Sequence, residues 1–176
     1  MMDDPARAAT ARVTDHIRLD HDWFRRQFAA VSDARDNVLA LCVLWEELSA
    51  RLEVHAAAEE TLFYPRLLKD DADAADDTTD AIRDHNDIRD AIREAGQHEI
   101  GDVRWWAAVA AACNANDEHM HEEEEGPLRE FDDVASPAEQ AALAAAFSAF
   151  EQNHAGGRGI SDKDKDPSRY VAEHLP

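Results

Sequence analysis

Lysine is nearly missing from this chain: its 176 residues include only Lys69, Lys163 and Lys165. Lysine and arginine together number 18 against 39 aspartates and glutamates, a formal charge of −21 at pH 7. So acidic a surface repels phosphate backbones and anionic headgroups, which argues against nucleic acids and membranes as partners. Cysteine is equally scarce, and Cys42 and Cys113 share no CxxC or disulfide-framework spacing, so both are expected as reduced thiols. The longest apolar run, Trp105–Cys113, is nine residues, well short of the roughly 20 that a spanning helix needs. The opening stretch "MMDDPARAATARV" has no apolar core of signal-peptide length, so the expected location is cytoplasmic. Glycine and proline number six each, and no segment alternates with period two, so no sheet is expected.

What the chain does contain is helical periodicity. One stripe runs Ile17, His21, Phe24, Phe28, Val31; a second Leu41, Leu44, Leu48, Leu52, His55, Glu59, Leu62. A third is Ile82, His85, Ile88, Ile92, and a fourth Val109, Ala112, Asn116, His119, Glu123. Such stripes are the faces that helices bury against one another in a bundle. Between them lie a polar turn at 32–37, an acidic loop at 69–77 offering N-cap aspartates, and a break at 95–102 with Gly96 as stop and Asp102 as restart. Ser136-Pro137-Ala138-Glu139 reads as a capping box that opens a fifth helix through about residue 154. The expected fold is an all-α, up-down four-helix bundle with an additional C-terminal helix, spanning residues 1–155, followed by a loop-like tail over 156–176.

Each of the four stripes carries one in-phase histidine, and two carry a glutamate four residues further on. The spacing repeats: His21 to His55 is 34 residues, and His85 to His119 is again 34. In an up-down bundle, side chains at one height lie symmetrically about the turn that joins their helices. The midpoints of successive histidines are residues 38, 70 and 102, each in or within a residue of a break read independently. His21, His55, Glu59, His85, His119 and Glu123 are therefore expected in one layer of the interior. A buried carboxylate costs several kcal/mol, roughly, unless something neutralises it, and a metal pair does so. Two histidines per ion, two bridging glutamates and a solvent-derived oxo or hydroxo bridge describe a dinuclear centre. This donor set suits iron, with manganese and zinc as the other candidates.

The stretches "LDHDWFRRQF" (19–28), "HAAAEETLFYP" (55–65), "DHNDIRDAI" (84–92) and "HMHEEEEGPLREF" (119–131) resemble the hemerythrin-like, HHE cation-binding domain family, in particular its small actinobacterial single-domain members. The resemblance covers about residues 10–155. It implies a non-haem di-iron centre (Fe2+/Fe3+) that meets dioxygen, peroxide or nitric oxide, with the same six residues as ligands. One departure stands out. Oxygen-carrying members place a second histidine one turn after the third-helix ligand, where this chain has Arg89. Both ions are then expected to keep open positions, which suits peroxide or redox chemistry better than reversible oxygen carriage.

Three functions follow as expectations: a di-iron binding protein responsive to oxygen, redox state or nitric oxide, or holding iron; a di-iron enzyme consuming peroxide or activating oxygen; and a structural bundle around zinc or no metal. Arg89 is expected either in a helix-surface ion pair with Asp87 or Asp90, or behind the ligands steering anions. His16 lies about 140° off the ligand stripe, an accessory position at most. Tyr64 falls opposite the ligand face on a regular helix, unless Pro65 distorts the turn. Of Glu122–Glu125 only Glu123 is in phase, the others being expected in solvent. His121 is expected exposed, and Trp23, Trp45, Trp105 and Trp106 are expected to pack.

Overall fold

The computed structural model describes residues 12–70 and 74–176; the opening stretch before Arg12 lies outside them. In chain order the elements are α1 (Val13–Asp33), α2 (Val38–Ala58), a π-helical turn (Glu59–Phe63), α3 (Tyr64–Asp70), α4 (Ala75–Ala95), α5 (Val103–Glu125), α6 (Pro127–Val134), α7 (Pro137–Asn153), a 3-10 turn (Ala155–Gly157) and α8 (Pro167–His174). Among the described residues there is no strand. No described helix is long and apolar enough to cross a membrane.

The breaks fall where local chemistry put them. Asn37 caps α2 by accepting from the Ala40 amide at 3.1 Å, Asp102 caps α5 through the Arg104 amide at 3.0 Å, and Ser136 accepts from the Glu139 amide at 3.3 Å. Gly101 takes φ 90°, a backbone conformation that only glycine adopts without strain, just before α5 restarts. At the acidic loop the expectation fails: α4 begins after Ala74, which has no side-chain cap, while Asp71 and Asp73 lie outside the described residues. The break at Gly126-Pro127 was not foreseen. It ends α5 and starts α6 with proline at a position whose amide needs no partner.

Helices α1, α2, α4 and α5 form the bundle, α7 packs on α1 and α2, and α8 packs on α4 and α3. Two apolar clusters fill the interior. One gathers Val13, Ile17, Phe63, Tyr64, Ile82, Leu128, Phe131 and Phe147; the other gathers Phe24, Val31, Leu41, Leu48, Ile88, Trp105, Val109 and Met120. Helices α1, α2 and α4 pass from one cluster to the other, while the clustered residues of α5 lie in the second. In α1 the crossing lies between Ile17 and Phe24, and in α4 between Ile82 and Ile88, with a histidine at the middle of each. The polar layer thus lies between two dry plugs. Trp45 and Trp105 pack edge to face at 5.7 Å, while Trp23 and Trp106 lie under the guanidiniums of Arg51 and Arg35.

Candidate metal centre

All six residues of the paired HxxxE pattern come together, each at most 4 % exposed. His21 and His55 face each other at 5.4 Å between ring centroids, His85 and His119 at 4.5 Å, and His21 and His119 at 6.4 Å. Glu59 stands between the pairs. Its Oε1 is 2.8 Å from Nε2 of His55, and its Oε2 is 3.2 Å from Nε2 of His85 and 3.7 Å from Nε2 of His119. Glu123 Oε2 lies 3.3 Å from Nε2 of His21.

These approaches are close, yet several lack hydrogen-bond alignment. Nε2 of His21, Nε2 of His55, both oxygens of Glu59 and Oε2 of Glu123 are buried with no hydrogen-bond partner. Leaving five such atoms unpaired would cost on the order of 1–3 kcal/mol each. Donors held at about 2.1 Å from a shared ion lie about 3 Å from one another, the spacing found here. His21, His55 and Glu59 form one group able to hold an ion, and Glu59, His85 and His119 form another. The donor set therefore fits two cations sharing Glu59.

Behind the imidazoles stands a ring of four more carboxylates, which the sequence reading missed. Asp20 of α1 accepts from Nδ1 of His55 on α2 at 3.1 Å. Glu60 of the π turn meets Nδ1 of His85 on α4 at 2.9 Å. Asp84 of α4 approaches Nδ1 of His119 on α5 at 3.6 Å, and Glu124 of α5 meets Nδ1 of His21 on α1 at 2.8 Å. Each helix supplies the next in chain order, and the last returns to the first. A carboxylate on Nδ1 fixes the tautomer that leaves Nε2 free for a metal and makes it a stronger donor. A signal was present: each outer carboxylate is the immediate chain neighbour of an inner residue (Asp20–His21, Glu59–Glu60, Asp84–His85, Glu123–Glu124). Glu124 is thus not simply solvated, whereas His121 is exposed as expected.

The π turn corrects the reading of Tyr64. One extra residue lets the Tyr64 amide donate to the Glu59 carbonyl, five residues back rather than four. The phase of the stripe shifts, so Leu62 is only half-buried while Phe63 and Tyr64 are buried. The Tyr64 hydroxyl turns inward and donates to Glu123 Oε1 at 2.8 Å. Arg89 takes the inner of its two expected places: it is buried and grips both oxygens of Glu60, at 2.7 and 2.8 Å. His16 is buried as well, its Nε2 2.9 Å from Glu151 of α7 and its ring against Phe147. His16, Asp20 and Glu151 are a third group close enough to hold an ion.

The electrostatics follow from this packing. Burial works to raise the Glu59 carboxyl, yet the imidazoles of His55, His119 and His85 hold it well below the usual carboxylate range. Burial works to lower His55, but the carboxylates of Glu59 and Asp20 carry it up to about 10. Against the same burial, Asp84 and Glu59 raise His119 well above the ordinary imidazole value. Tyr64 is pushed up by burial and by Glu123 and Glu59, so it keeps its proton. In the protein without metal, protons neutralise the carboxylates that a cation would otherwise balance.

The tail is not only loop. Its last turns form α8, with Tyr170 and Val171 buried against the bundle. The family model of the hemerythrin HHE cation binding domain matches residues 12–131 of this architecture. No curated protein and no solved structure matches the chain.

Proposed function

Since the chain belongs to the hemerythrin HHE cation-binding domain family, we propose that its polar layer holds two iron ions. His21, His55 and Glu59 serve one ion, His85, His119 and Glu59 the other, and Glu123 is the second carboxylate between them. The observation that carries this reading is Glu59. Its two buried oxygens lack hydrogen bonds, and each faces the histidines of a different pair. A carboxylate so placed is a bridge. Manganese would fit the same donors and zinc less well, since paired carboxylates with imidazoles favour a metal of higher coordination number.

Bound iron supplies reversible one-electron chemistry toward dioxygen, peroxide or nitric oxide. The residues supply the rest. Tyr64 holds its proton on Glu123 Oε1, and the two apolar clusters keep bulk water from either end of the layer. A cleft of about 60 Å³ lined by Asp77, Asp80, Asp84, Glu122 and Glu123 reaches one histidine, His119. It suits a ligand of a few atoms. The first reading is a di-iron protein that responds to oxygen, redox state or nitric oxide, or stores the iron.

A second reading, a di-iron enzyme consuming peroxide or activating oxygen, draws on Arg89. Its guanidinium is committed to Glu60, so the position one turn beyond His85 contributes no donor and leaves that ion open. The deciding experiment is to load the protein anaerobically with iron(II), count iron per chain, and add oxygen and peroxide separately. A reversible visible spectrum with oxygen supports the first reading; oxygen evolved from peroxide, lost in His85→Ala, supports the second. Absence of bound iron, or fewer than two ions per chain, rejects the dinuclear proposal.

A further inference from the structure

Glu60 of the outer ring is gripped by an imidazole, a guanidinium and an ammonium group, and part of that grip comes from far along the chain. Its side chain receives Nδ1 of His85 at 2.9 Å, Arg89 at 2.7 and 2.8 Å, and Nζ of Lys165 at 2.7 Å. Lys165 is one of only three lysines, and its backbone is locked to α4. The Lys165 amide donates to Asn86 Oδ1 at 2.9 Å, and Asn86 Nδ2 donates to the Lys165 carbonyl at 2.7 Å. Arg93 of α4 holds the preceding turn through the Asp162 carbonyl and the Asp164 carboxylate. Asp166 then caps α8 by accepting from the Arg169 amide at 2.8 Å.

The backbone of Glu60 is held by the same segment. In the π turn its carbonyl looks five residues on for a donor, and that residue is Pro65, which has no N–H. The hydroxyl of Tyr170 on α8 fills the vacancy at 2.5 Å. A buried carbonyl thus has its partner supplied from 110 residues away. Lys165, Tyr170 and the segment that carries them lie beyond residue 131, where the family match ends.

We infer that residues 162–174 are a strap that positions Glu60, and through it the His85 side of the metal centre, with Lys165 and Tyr170 as positioning residues. The inference rests on the proposed role of His85 as a ligand. Lys165 draws charge from the Glu60 carboxylate and so weakens its pull on the Nδ1 proton of His85. Without that cation the carboxylate pulls harder, and His85 becomes a stronger donor that favours the more highly charged state of its ion. Tyr170 fixes the π turn that carries both Glu59 and Glu60.

The test uses the full chain as Lys165→Met, Lys165→Arg and Tyr170→Phe, with Arg104→Met as a control at an exposed position in the first turn of α5. In the metal-free protein, the Nδ1 proton resonance of His85 is expected to move downfield in Lys165→Met, and to return in Lys165→Arg. After loading with iron(II), the midpoint potential is expected to fall in Lys165→Met and recover in Lys165→Arg. Tyr170→Phe is expected to release iron to a chelator about threefold to tenfold faster, less than the 10- to 100-fold typical of a direct partner. A His85 resonance unmoved in Lys165→Met overturns the inference, whether or not iron is taken up. Two bound irons with wild-type potential and release rate in both variants overturn it as well. Failure of the wild-type protein to bind iron instead rejects the proposed centre, and leaves the resonance to judge the strap.

Discussion

Glu124 Oε1 lies 2.8 Å from Nδ1 of His21, a partner 103 positions away in the chain, while the neighbouring Glu123 lies 3.3 Å from Nε2 of the same ring. Two adjacent acids thus address both nitrogens of one imidazole. Arg25 holds Glu124 in place at 2.9 and 3.0 Å. Glu124→Gln is expected to weaken metal binding by about 10- to 100-fold. Against burial, His21 and Arg25 hold its carboxyl below the usual value, so the metal-free melting temperature is expected to fall modestly at neutral pH. Competition with a chelator of known affinity measures the first, thermal denaturation the second. Equal affinity in the variant and the wild type would remove the carboxylate ring from the account of the site.

The raised His55 makes metal-free stability depend on pH. Burial opposes its charged form, but Glu59 and Asp20 carry the group from the ordinary 6.5 up to about 10. A folded-state value above the unfolded one stabilises fully below the unfolded value and fades as pH rises toward the folded one. The metal-free melting temperature is therefore expected to fall between about pH 6.5 and pH 10. In the loaded protein a cation replaces that proton, so the decline should flatten. Melting curves of both forms across this range provide the check, and parallel declines would contradict it.

Neither tyrosine should titrate normally. Tyr64 is raised by burial and by Glu123 and Glu59, and Tyr170 by burial and by Glu60. These are the only two tyrosines in the chain. Ultraviolet titration of the native protein is expected to show no phenolate near pH 10, where free tyrosine ionises, and then an abrupt appearance on alkaline unfolding. A smooth transition at the ordinary value would place a tyrosine in water.

Asp132 ties α6 to the rest of the bundle. It accepts from Thr14 Oγ1 at 2.5 Å, Arg12 at 2.6 Å, Arg18 at 3.0 Å and Gln140 Nε2 at 3.0 Å. Partial burial would raise its carboxyl, but Thr14, Arg18 and Arg12 bring it below its usual value. Its contribution is present above the unfolded carboxyl value and is lost as pH falls through the lowered one. Asp132→Asn is expected to cost about 2 kcal/mol at neutral pH, roughly 4–8 °C in melting temperature, with the difference shrinking in acid. A variant as stable as the wild type at neutral pH would count against this network.

Much of the architecture was legible because it repeats along one helix at a time. A stripe such as Ile17, His21, Phe24, Phe28 states its own buried face, and the 34-residue spacing of the histidines sets their height once the turns are located. Asp102 and Ser136 act on amides two or three residues away, so their helix starts were readable too, while Asn37 was read only as part of a polar turn. Tyr64 was not, because a single inserted residue at the π turn rotated everything after Glu59. Arg89 had carboxylates of its own helix within reach, and only the packing of α4 on the π turn gave it Glu60 instead.

The order of apolar and polar residues determined by itself that this chain is helical, that its helices form a bundle, and that four histidines and two glutamates share a level. Periodicity encodes such facts, since each depends on neighbours three or four positions away. Tertiary structure alone decided which carboxylate backs which imidazole, that Tyr64 faces Glu123, and that Lys165 and Tyr170 reach across to Glu60. Those pairings join residues 25 to 110 positions apart, and no local preference of the chain can select them. They exist because buried charges and hydrogen-bonding groups must find partners once the helices have closed around them.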